Sequence, residues 1–63
     1  MNKYTVFYVR VYNAEGAWYD YDCEDWHSAE GYFDTCTKSD MTKEAYIMTL
    51  KGVVYKTYKK GEK

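Results

Sequence analysis

The sequence predicts an α+β fold: a four-stranded antiparallel sheet in ββαββ order with one helix packed on one face. Three observations lead there. Only residues 22–37, DCEDWHSAEGYFDTCT, carry apolar side chains at helical spacing, which puts Trp26, Ala29, Phe33 and Cys36 on one stripe. The segments on either side are β-branched and aromatic. Each of those segments is divided by a short turn containing glycine, as a hairpin is. The 63 residues are expected to form a single small domain, 1–63, near the size below which one core no longer holds a chain without a disulfide, a metal or a partner.

Residues 4–12, YTVFYVRVY, have no breaker and the composition of a central strand. Thr5, Phe7, Val9 and Val11 form its drier face and are expected to meet the helix, leaving Tyr4, Val6, Tyr8, Arg10 and Tyr12 on the other side. Asn13-Ala14-Glu15-Gly16 reads as the first turn, its glycine free to take the left-handed conformation. A short strand over residues 17–21 carries Asp20 and reads as an edge, with Trp18 and Tyr21 on opposite faces. The helix is expected from an Asp22 N-cap, with Glu24 and Asp25 in its first turn, and a start capped by Ser28 is the competing choice. Gly31 within it is either a weakness of roughly 1 kcal/mol relative to Ala or a point of close approach to the sheet.

Residues 43–60, KEAYIMTLKGVVYKTYKK, hold two β-rich runs around Lys51-Gly52. A two-residue hairpin there sets Leu50 against Val53, Met48 against Tyr55 and Tyr46 against Thr57, and a bulge at Gly52 slips that register by one. A helix over residues 40–50 competes, weakened by Tyr46, Ile47 and Thr49.

Composition points to surfaces rather than to a dry interior. Leucine occurs once, at Leu50, whereas tyrosine occurs nine times, so much of the apolar area carries a hydroxyl that needs water or a hydrogen bond. With one helix covering one face, Tyr4, Val6, Tyr8 and Tyr12 are expected to stay open as a dimer or partner face. Charge is segregated. Residues 13–37 hold seven acids (Glu15, Asp20, Asp22, Glu24, Asp25, Glu30, Asp34) and neither Lys nor Arg, whereas residues 38–63 hold seven Lys against Asp40, Glu44 and Glu62. Asp20, Asp22, Glu24, Asp25, Glu30 and Asp34 therefore form a candidate partner-binding surface able to imitate a row of phosphates. The competing surface is the C-terminal hairpin, where Lys51, Lys56, Lys59 and Lys60 interleave with Tyr55 and Tyr58 as in a single-strand nucleic-acid binder. Scarcity of Arg and a sequence pI near 5.7 rank it second.

Chemistry has few candidates. Cys23, His27 and Cys36 are the only soft ligands, one short of a structural zinc site and without a paired C-x-x-C. Cys23 and His27 stand at i, i+4 as a nucleophile and base would on one helix, but no third group supports them. No catalytic residue, cofactor or metal is expected. Placed on one helix, Cys23 and Cys36 would lie about 20 Å apart, too far to bridge, and both are expected as reduced thiols. Neither a cleavable signal pattern nor a long apolar run is present, so a soluble protein of the cytoplasm is expected.

YTVFYVRVY, the acidic DCEDWHSAE and the terminal KGVVYKTYKKGEK together resemble in style the small accessory proteins encoded by phages, among them anti-CRISPR and other anti-defence inhibitors. The resemblance carries over no site residue. It implies a class of action: a non-catalytic inhibitor or adaptor that disables a host complex by binding, often as a homodimer. A structural or transcription-related phage protein shares the same features.

Overall fold

The computed structural model describes residues 5–61. Its elements are β1 (Phe7–Asn13), β2 (Trp18–Cys23), α1 (Trp26–Thr37), β3 (Thr42–Thr49) and β4 (Val54–Lys59). The strands form one antiparallel sheet in the order β2-β1-β3-β4 with the helix across one face, an α+β fold in ββαββ order. β3 occupies the segment for which a helix competed. Its β-branched and aromatic residues pair with β1 on one side and β4 on the other, which satisfies the backbone along the strand.

The core lies between the helix and the two central strands. Val9 and Val11 of β1, Ala45 and Ile47 of β3 and Cys23 at the end of β2 are buried beneath Ala29 and Phe33, with Phe7, Cys36 and Tyr58 packed around them. The odd positions of β1 do face the helix. At the edge, the Tyr21 ring stacks on Tyr32 of the helix at 5.3 Å, while Trp18 lies on the other face beside Tyr12. Tyr4, placed at the start of the first strand from the sequence, lies outside the described residues.

The helix begins later than its pattern suggested. Asp22 and Cys23 pair with Tyr8 and Phe7 as the last rungs of β2, and burying Cys23 against the core holds that segment extended. Asp25, not Asp22 or Ser28, is the N-cap, its carboxylate accepting the Ser28 N–H at 2.8 Å. No acid stands in the first turn. Gly31 is an ordinary helical residue with nothing within 4 Å of a Cβ built on it, so it marks no close approach to the sheet.

Both hairpins are built alike. Asn13 N–H donates to the Ala17 carbonyl at 2.8 Å and Thr49 N–H to the Val53 carbonyl at 2.9 Å, which closes three-residue loops over 14–16 and 50–52. Gly16 at φ 89° and Gly52 at φ 87° occupy the left-handed third position. In each loop the side chain before it, Asn13 Oδ1 or Thr49 Oγ1, accepts the N–H of the residue after it. The two-residue register is therefore corrected. Tyr46 does face Thr57, but Met48 faces Val54, because Tyr55 is an extra residue on β4 opposite the step from Ile47 to Met48. The bulge turns Tyr55 to the helix side, where its ring stands edge-on to Phe7 at 6.0 Å and Trp26 at 6.1 Å.

Two outcomes follow for stability. With open space above it, Gly31→Ala is expected to raise stability by about 1 kcal/mol, read as a higher thermal midpoint. Hydrogen bonds from Ser28, with His27 nearby, hold the Asp25 carboxyl below its ordinary value of 3.8. A folded-state value below the unfolded one means that the ionised cap contributes fully above about pH 4 and is lost as pH falls through the folded value. Thermal melts followed by circular dichroism should show Asp25→Ala destabilised at neutral pH, and the gap between wild type and Asp25→Asn shifting against wild type as the buffer is acidified.

Candidate functional site

The sheet face away from the helix is set out by the strand register in three rows. Across the sheet from β2 to β4 these read Asp22-Tyr8-Met48-Val54, then Asp20-Arg10-Tyr46-Thr57, then Trp18-Tyr12-Glu44-Lys59. Arg10 is at the centre. Its Nε and Nη2 donate to both oxygens of Asp20 at 2.9 and 3.0 Å, and its guanidinium lies 4.7 Å from the Trp18 ring centre and 5.4 Å from that of Tyr8. Hydrogen bonding to Asp20 raises the Arg10 pKa further, so the centre of the face is a fixed cation. Tyr12 stands edge-on to Tyr46 at 6.1 Å, and the Tyr46 hydroxyl donates to Glu44. Tyr8 and Tyr12 thus lie on the open face, and Trp18, 53% exposed, extends it to the edge.

A second surface lies at the pole of the sheet where β1 and β4 begin and β2 and β3 end. Val6, Leu50, Val53 and Tyr55 are 49, 47, 51 and 60% exposed there, around a shallow depression of about 410 Å³ that Lys51 also borders. Trp26 adjoins Tyr55. The carboxylates of Glu24 and Asp25 precede Trp26 in the loop that leaves β2 at this same end. The signal for this pole was present in the sequence, since Leu50, Val53 and Val54 flank a glycine turn where polar residues are usual.

The six carboxylates offered as one acidic surface do not share a face. Asp20 is taken up by Arg10, and Asp22 lies beside it on the open face. Asp25 caps the helix. Glu30 reaches toward β4, 3.6 Å from Lys56, and Asp34 one turn later follows the same side of the helix, so these two sit across the molecule from the β2 edge. The lysine-tyrosine hairpin is dispersed as well. Lys56 lies 5.0 Å from the Phe33 ring centre on the helix side, Lys59 pairs across the open face with Glu44, and Lys60 Nζ donates to the Asp40 carbonyl. Lys51 is in the turn, Tyr55 is against Trp26, and Tyr58 packs on the core.

Cys23 and His27 do not share a helix, because the strand keeps Cys23. Among the described residues no three His, Cys, Asp or Glu side chains group as a metal ion would need. Both cysteines are free thiols. No protein-family model, curated protein or solved structure matches the chain. Among the described residues no helix is long and apolar enough to cross a membrane.

Burial pushes both thiol pKa values up, helped at Cys23 by Asp22 and Asp25, and the Cys23 thiol also donates to the Tyr21 carbonyl. Alkylation with iodoacetamide near neutral pH, followed by mass spectrometry, should label both slowly, with the half-buried Cys36 ahead of Cys23. Rapid labelling of Cys23 would contradict this placement.

Proposed function

We propose that the chain is a non-catalytic protein-binding inhibitor or adaptor, of the phage-encoded anti-defence kind its sequence resembles, acting in the cytoplasm of a host cell. The supporting observation is the apolar pole. Val6, Leu50, Val53 and Tyr55 are about half exposed side by side, and contiguous apolar surface of this kind usually marks an interface. Glu24 and Asp25 beside it favour a host surface that combines apolar and basic side chains. Three exposed apolar residues at a hairpin tip and a neighbouring aromatic pair make an anchor cluster of the type that dominates binding energy.

The competing reading is a single-strand nucleic-acid binder using Lys51, Tyr55, Lys56, Tyr58, Lys59 and Lys60. It has less support, because such binding needs lysines along one groove with open aromatic faces, and here Lys56 and Lys59 lie on opposite faces while Tyr58 packs on the core.

Immobilised wild type and the Leu50→Glu, Val53→Glu double variant, matched by circular dichroism, should be exposed to the same host lysate. A host protein retained by wild type and lost from the variant is the expected result. Equal retention by both, or binding of heparin and single-stranded DNA that falls steeply with salt, overturns the proposal.

A further inference from the structure

The geometry points to a symmetric homodimer closed through the open sheet faces, with its two-fold axis parallel to the strands. It does not depend on the reading of the pole. The face is complementary to itself. A two-fold along the strands, lying between the two sheets, keeps each row at its level and exchanges β2 with β4 and β1 with β3. Arg10 then faces Tyr46 of the second copy, a cation over a ring, and Tyr8 faces Met48, a sulfur against a ring. In the third row Tyr12 faces Glu44 and Trp18 faces Lys59. Every central pair joins unlike chemistry.

The other two-fold that stacks these faces, perpendicular to the strands, fails the same examination. It keeps each strand over its own copy, so the central row sets Arg10 on Arg10 and Asp20 on Asp20, like charges that oppose association. Packed sheets sit about 30° from alignment, which displaces the edge strands most and leaves the correspondence closest on β1 and β3, where Arg10, Tyr8 and Tyr12 meet Tyr46, Met48 and Glu44. Four strands about 4.8 Å apart and five to six residues deep give a face of roughly 360 Å² in projection per copy. That is modest, so the dimer is expected to depend on concentration.

Sedimentation equilibrium on the full chain from about 1 µM to about 500 µM tests this. The expected result is a monomer-dimer equilibrium whose midpoint moves at least tenfold upward in Tyr8→Glu. Lys59→Glu, an exposed edge substitution, should move it in the same direction and serves if Tyr8→Glu does not fold. The axis is read by oxidation: a mixture of Tyr8→Cys and Met48→Cys chains should yield the mixed disulfide faster than either chain pairs with itself. A monomer over the whole range overturns the dimer, unchanged association of folded Tyr8→Glu and Lys59→Glu moves it to another surface such as a sheet edge, and a Tyr8→Cys chain that pairs instead with Tyr12→Cys assigns the wrong axis.

Discussion

Everything in this fold depends on how closely one twelve-residue helix can approach two strands. Ala29 on the helix and Ala45 on β3 are both fully buried, and with only a methyl group at each, the helix settles low enough for Phe33 to reach between Val9, Val11 and Ile47. A larger residue at either alanine would lift the helix and open the core along its length. Trp26, Tyr32 and Tyr55 are then arranged around the contact as a partly wet rim.

Because that contact occupies one face only, the other has to manage without a covering layer. It does so with side chains that tolerate water. Tyrosine rings give the central strands apolar neighbours while their hydroxyls can meet water or a polar partner, as that of Tyr46 meets Glu44, and Arg10 replaces what would be a buried aliphatic by a cation braced between Asp20 and two rings. Arg10 and Asp20 oppose each other directly across β1 and β2, so the ion pair also reports register. A slip of one residue would separate them and turn Val9 outward.

Much of this architecture was legible because periodicity differs so plainly along the chain. Period two over residues 5–12 named the inward residues of β1, and the stripe through Ala29 and Phe33 named the buried side of the helix. What stayed hidden were choices made by pairing across strands. Asp22 has the chemistry of a cap, yet Tyr8 and Phe7 offered it and Cys23 ladder partners, and the strand won. Charge runs misled in the same way: Asp20 and Asp22 share the open face of β2, Glu30 and Asp34 lie on the helix toward β4, and Arg10, distant in sequence, neutralises Asp20. The shared construction of the turns was visible in principle, since Asn13 and Gly16 repeat the spacing of Thr49 and Gly52, but their common hydrogen-bond pattern needed coordinates to appear.

The bulge at Tyr55 separates β4 into two parts with different obligations. Beyond it, the pairings of Lys56 with Ile47 and Tyr58 with Ala45 tie the strand to the core. Before it, Leu50 to Val54 are exposed, held by the Thr49 to Val53 closure of the turn and by the single rung of Val54 on Met48. An irregular rung of this kind acts as a slip joint, so substitutions and even changes of length in the tip can be absorbed without re-registering the strand that carries the core. The exposed apolar tip is thereby free to change in sequence and length while the fold behind it stays the same.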